Sequence, residues 1–296
     1  MQSAVLVSTP PLAFAVGDRV RSPSRPDWGA GRVTRAAAAG RIGVLFREAG
    51  ELTLSLAHAK LEWLGDGERS DAWLERLSLA PVAPGAAHVS PRAAMARFLE
   101  AYPDGFRDER YRSGERAALE SAQAILREAL SRDALRTAVR GRRWGPCCAA
   151  ATRALSVAKI VSPADAALLR QALATPSARG PFVTALNELF HGRQPAVARF
   201  ERFAGALEAI GAPRWGLVTF FGFARCPEQH MFLRQGETPL AASALRFDLG
   251  FRPEPNAATY ARLLELALCL EAELGALGPE DRFDLQALLR CVARGA

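Results

Sequence analysis

Lysine is almost missing from this sequence: of its 38 basic residues only Lys60 and Lys159 are lysines, and all the others are arginines. A net charge of +7 and a pI near 9.7 would ordinarily point to nucleic acid or another acidic partner. The same arginine excess, coupled to abundant alanine, also marks a GC-rich genome, so the total charge alone assigns no binding surface. Long apolar runs are missing too. The most apolar segment, Leu217 to Ala224, falls far short of the roughly 18 to 20 residues that a membrane span needs, so no spanning helix is expected. Met1 to Pro11 carries neither a basic cluster ahead of an apolar core nor a small-residue cleavage pattern. Residues 1–13 are therefore expected to be a flexible tail, and the chain to be cytoplasmic.

Cysteine is sparse and irregularly placed. Cys147, Cys148, Cys226, Cys269 and Cys291 are odd in number and fit no disulfide framework, which agrees with a reducing compartment. The adjacent pair Cys147 and Cys148 lacks the spacing of a zinc knuckle, and Cys226 with His230 offers too few ligands for a structural metal site. No metal and no other cofactor is expected. Signatures of nucleotide hydrolysis, serine hydrolysis, zinc proteolysis and dinucleotide binding are all missing. Glu188 with His191, and Asp281 with Asp284, share helical faces, so a helical hydrolase or nuclease stands as the rival reading. A lysine-dependent nuclease centre has little to draw on, since Lys60 follows the strand-rich segment and Lys159 has only Asp165 nearby in sequence. No catalytic residue is assigned.

Residues 14–64 read unlike everything after them, with β-branched and aromatic residues in short alternating runs between Gly, Pro and Asp turns. Strands are expected at Ala15 to Arg21, Gly31 to Arg35, Arg41 to Phe46 and Glu51 to Leu56, with glycine turns at Ala39-Gly40 and Ala49-Gly50. So short a unit is expected to curl into a barrel that removes its edges. Residues 65–90 read as a linker with one short amphipathic helix, Asp71 to Leu79. From residue 91 to 296 the period is helical, with Ser90-Pro91, Ser162-Pro163, Asn256 and Gly278-Pro279 as start signals and one long helix expected over 113–140. The expected fold is α+β and multidomain: a small N-terminal β-barrel followed by a larger all-α domain. The apolar run Trp215 to Phe223 is expected at the centre of the helical domain.

The pairing of Val16-Gly17-Asp18-Arg19-Val20 with Gly29-Ala30-Gly31-Arg32-Val33, followed by Arg41 to Phe46 and Leu52 to Glu62, resembles a small bacterial SH3/Tudor-like domain. That domain is similar to the tail of UvrD/PcrA-type helicases and, more distantly, to the RNA polymerase-binding domain of CarD-type transcription factors. The resemblance implies a partner that is RNA polymerase, a helicase or nucleic acid. Within 14–64, eight Arg and Lys residues stand against five Asp and Glu, a net of +3. Arg19, Arg21, Arg25, Arg32 and Arg35, with Trp28 for stacking, form the candidate binding set, because guanidinium groups grip phosphate or carboxylate bidentately. Arg136, Arg140, Arg142 and Arg143, beside Trp144, form a second basic patch, which would equally complement a helix C-terminus. The function expected is that of a non-enzymatic accessory or adaptor protein in transcription, DNA repair or genome defence.

Overall fold

A computed structural model describes residues 14–64, 72–76 and 88–295. The chain divides into two compact units, Met1–Leu79 and Ala80–Ala296. The tail expected over 1–13 and most of the linker expected over 65–90 lie outside the described residues.

The first unit is an antiparallel sheet of β1 (Arg19–Arg21), β2 (Gly31–Ala38), β3 (Arg41–Phe46), β4 (Gly50–Ser55) and β5 (Glu62–Trp63), in the order β4-β3-β2-β1-β5. The hydrogen-bonded order is open: β4 and β5 form its two edges and do not pair with each other. Ala39 and Gly40 both take positive φ, 49° and 73°, so the β2–β3 hairpin closes on two residues. Gly50, at φ 77°, closes the β3–β4 hairpin opposite Phe46. Alternation buries Val20, Val33, Ile42, Val44, Phe46 and Leu54 on one face with Phe14. Gly31 stands opposite Phe46, where a Cβ would lie 2.8 Å from that ring and from Val44, so only a bare backbone fits. Leu45, on the other face, is also buried, as are Trp73 and Leu74 of α1 (Ala72–Arg76). The short helix therefore covers part of that second face, where Arg32 of β2 reaches its carbonyls.

The second unit is helical among the described residues: α2 (Pro91–Ala101), α3 (Glu109–Tyr111), α4 (Ala117–Ala129), α5 (Arg132–Gly141), α6 (Gly145–Ala158), α7 (Pro163–Ala174), α8 (Pro176–His191), α9 (Ala196–Ala209), α10 (Trp215–Arg225), α11 (Thr238–Ala244), α12 (Ala257–Glu273) and α13 (Arg282–Arg294). Ser90, Ser162 and Asn256 cap α2, α7 and α12 through their side chains, as their positions predict. The long helix expected over 113–140 is instead a π turn at Arg112–Arg116 followed by α4 and α5. The chain breaks at Leu130 because Ser131 caps a new helix there. Likewise α13 starts after Asp281, whose carboxylate accepts from the Phe283 amide, rather than at Gly278-Pro279. The run around α10 is the buried centre, with Trp215 and every residue from Leu217 to Ala224 buried. Phe221 meets Phe182, Phe203 and Phe220 edge-on, and α10 packs against α4, α7, α8 and α9. No helix among the described residues is long and apolar enough to cross a membrane.

Candidate functional site

Strand register decides where the sheet arginines go. Arg19 pairs with Arg32, which pairs with Leu45, all opposite in sense to the core residues Val20 and Val33. Arg21, two residues beyond Arg19, pairs with Glu62 on the same face. An irregularity between Val33 and Arg35 places Arg35 opposite Gly43, so it joins them on the outer face. Gly43 makes this possible, since a Cβ there would lie 3.0 Å from Arg35 Nε. Four of the five candidate arginines thus share one face of the sheet.

Each of the four also has a partner within the unit. Arg19, with its side chain only 10% exposed, is ion-paired to Glu75 of α1. Arg32 donates to the Leu74 and Glu75 carbonyls at 3.4 and 3.5 Å, meeting the free carbonyls of a short helix. Burial, reinforced by the neighbouring Arg19 charge, holds the Arg32 pKa below its usual value, against the pull of Glu75. The hydrogen bond from Arg19 holds the Glu75 carboxyl below the ordinary range. Arg21 donates to Glu62 at 3.2 Å and Arg35 to the Thr53 hydroxyl at 2.7 Å, and both remain exposed. Arg25 and Trp28 lie apart from the quartet, on the turn Pro26–Trp28. The Arg25 guanidinium sits 4.8 Å over the indole and grips Asp27 through two nitrogens at 3.0 and 2.8 Å. Trp28 packs its ring 5.0 Å from Phe46, at the rim of the sheet core.

The second patch lies at the C-terminal end of α5. Arg136, Arg140, Arg142 and Arg143 are all exposed, and none has a side-chain hydrogen bond or ion pair among the described residues. Arg142 closes the helix in the left-handed region, at φ 49°. Trp144 is half-buried against Gly180, where a Cβ would meet its indole at 3.3 Å. Unlike the sheet arginines, these are held by nothing within their unit among the described residues.

The acidic pairs are committed to internal partners. Glu188 turns to Arg202 at 3.3 Å, away from any joint role with His191. Asp284 is buried and accepts from Tyr111 Oη and Arg116 Nη1, both at 2.6 Å, and from the Glu280 amide at 2.7 Å. Arg116, on the π turn, also binds Glu120, Glu280 and Asp281. Asp281 and Asp284 are a pair in sequence, but their guanidinium partner comes from 165 and 168 residues away. His230 Nδ1 lies 2.7 Å from Tyr260 Oη in the core, so it does not join Cys226 as a ligand. No group of three or more His, Cys, Asp or Glu side chains among the described residues could hold a metal ion. The five cysteines are free, and burial pushes the Cys148 thiol up to about 11, which makes it a poor nucleophile.

Residues 14–64 match a family described as a protein of unknown function (DUF3553). No curated protein and no solved structure matches the chain. The similarity is therefore confined to the strands of the first unit and ends before α1, whose Glu75 holds Arg19.

Proposed function

We propose that this protein is a non-enzymatic adaptor in transcription, DNA repair or genome defence, with an SH3/Tudor-like sheet unit that docks on RNA polymerase or a helicase. The observation that carries this reading is the alignment of Arg19, Arg21, Arg32 and Arg35 on one sheet face. Their partners there are carboxylates, carbonyls and a hydroxyl, the groups that a protein surface presents. Arg21 and Arg35 are the two whose side chains stay exposed to an incoming partner. The four arginines at the end of α5 have no such partners among the described residues, and they suit phosphate oxygens better than a protein surface. The helical unit therefore supplies the contact to nucleic acid in this reading.

Capture from native lysate and titration with duplex DNA or RNA at several salt concentrations test the two halves. Arg21→Glu with Arg35→Glu should abolish recovery of polymerase or helicase and leave nucleic-acid affinity unchanged. Replacing Arg136, Arg140, Arg142 and Arg143 by alanine should do the reverse and flatten the salt dependence, by about 0.9 in log–log slope for each duplex phosphate that is no longer neutralised. Recovery of neither machine together with no salt-sensitive binding to nucleic acid would overturn the reading.

A further inference from the structure

One cavity of the helical unit has no part in that reading. Its volume is about 680 Å³, and it opens between the start of α7, the start of α10 and the segment that follows Phe232. Three cations line it, Lys159, Arg214 and Arg234, against one carboxylate, Asp165. They come from separate parts of the chain, which the fold brings to one opening.

Each cation is held differently. Arg234 is fixed in the wall, with Nη1 at 2.9 Å from Glu237 and Nη2 at 2.8 Å from the Ile160 carbonyl. Arg214 is 57% exposed and lies 4.0 Å from Asp165, too far for a hydrogen bond. Lys159 is exposed and has no side-chain partner among the described residues. It also occupies the left-handed C-cap of α6 at φ 55°, a position that favours glycine. One of only two lysines in the chain thus lines the cavity from a position where its backbone is disfavoured. Gly216 forms part of the lining, and a Cβ there would project towards Asp165 and Phe232 at 3.4 and 4.0 Å.

We propose that this cavity binds the phosphomonoester group of a small organic molecule of nucleotide size, through Lys159, Arg214 and Arg234. Counting Glu237, which Arg234 grips, the three cations stand against two carboxylates and leave one positive charge, which attracts a phosphomonoester of charge about −1.5 to −2. Two guanidinium groups and an ammonium group provide the bidentate and point-charge donors that phosphate oxygens accept. The volume falls within the roughly 300–1,000 Å³ of small-molecule sites and leaves room beyond a bare phosphate.

The test is phosphorus NMR and calorimetry on the full chain with nucleoside 5′-monophosphates, ribose 5-phosphate, inorganic phosphate and the unphosphorylated nucleosides. At least one organic phosphate should bind at millimolar concentration or below, inorganic phosphate more weakly, and the nucleosides not at all. A short oligonucleotide with and without its 5′-phosphate, tested on the protein with Arg136, Arg140, Arg142 and Arg143 replaced by alanine, distinguishes a strand end from a free metabolite, since a strand end binds as tightly as the mononucleotide and only when phosphorylated. Arg214→Ala should weaken binding about tenfold, the scale of one charge-assisted hydrogen bond, and Arg92→Ala, at an exposed position on α2, should leave it unchanged. Lys159→Gly separates binding from folding: it relieves the left-handed backbone, so the melting temperature should hold or rise while affinity falls. Overturning results are no binding by any organic phosphate, nucleosides or inorganic phosphate binding as tightly, or affinity untouched by both Arg214→Ala and Lys159→Gly.

Discussion

The helical unit should lose stability in mild acid through one side chain, His230. Its ring is 1% exposed and packs on Gly222, where a Cβ would lie 2.8 Å from Nδ1. His230 Nδ1 lies 2.7 Å from the Tyr260 hydroxyl, and a neutral imidazole with its proton on Nε2 accepts the phenolic proton there. Burial, with repulsion from Arg199 and Arg282, pushes the His230 pKa down from 6.5 to about 3. The unfolded chain takes up this proton near pH 6.5 and the folded chain only near pH 3, so between those values the unfolded state binds more protons. Stability from this group is therefore complete above the unfolded pKa and declines as pH falls towards the folded one. Integrated from about pH 7 to about pH 5, the loss is about 2 kcal/mol. Urea unfolding of the full chain, followed by far-ultraviolet circular dichroism at both pH values, should show that loss relative to His230→Asn. The asparagine oxygen still accepts from Tyr260 and does not titrate. His191, whose pKa burial also lowers, is present in both proteins and cancels in the comparison. Identical pH dependence in the two proteins would refute the assignment of a buried neutral imidazole.

Four further substitutions probe the two units separately. Asp284→Ala leaves Arg116 and Tyr111 without their shared buried acceptor, and should cost the helical unit about 3 kcal/mol in denaturant unfolding. Asn256→Ala removes the cap of α12 and should cost about 1 kcal/mol, which in a unit of this size is a fall of roughly 2–4 °C in melting temperature. In the sheet unit, Gly31→Ala forces a Cβ to within 2.8 Å of Phe46 and Val44, with an expected cost of about 1–3 kcal/mol by denaturant unfolding. Trp73→Ala removes a side chain that is 2% exposed and should cost about 3–5 kcal/mol, raising protease sensitivity around α1.

Much of the architecture follows from local chemistry. The alternation Ile42, Val44, Phe46 against Arg41, Gly43, Leu45 becomes β3 as written, and glycines at 40 and 50 close the hairpins because they supply positive φ. Ser90, Ser162 and Asn256 cap helices because a side-chain oxygen beside an apolar period has one obvious donor to satisfy. The break at Leu130 is harder to see, because α4 and α5 continue one another in period and Ser131 is a single polar residue between them. Leu45 is harder still. Its alternation sends it away from the core of the sheet, and it is buried where α1, with Trp73 and Leu74, covers that face. A helix of five residues leaves almost no periodic signal, so its docking is not legible in its own sequence.

The arginines show why composition stops short of function in this chain. Arg19 and Arg136 look equivalent in sequence, each a basic residue beside a tryptophan-bearing segment. In the structure Arg19 is 10% exposed and bound to Glu75, 56 residues away, whereas Arg136 is exposed and has no side-chain partner among the described residues. No local pattern carries that distinction, because it depends on which carboxylates the fold returns to each cation. The carboxylates of Glu75 at Arg19 and Glu62 at Arg21 are both more than half exposed. Exposed pairs of this kind contribute about 0–1 kcal/mol each. The Arg21–Glu62 pair therefore adds little to the stability of the sheet unit. Arg19 and Arg32 stay committed to α1 by the burial of Trp73 and Leu74.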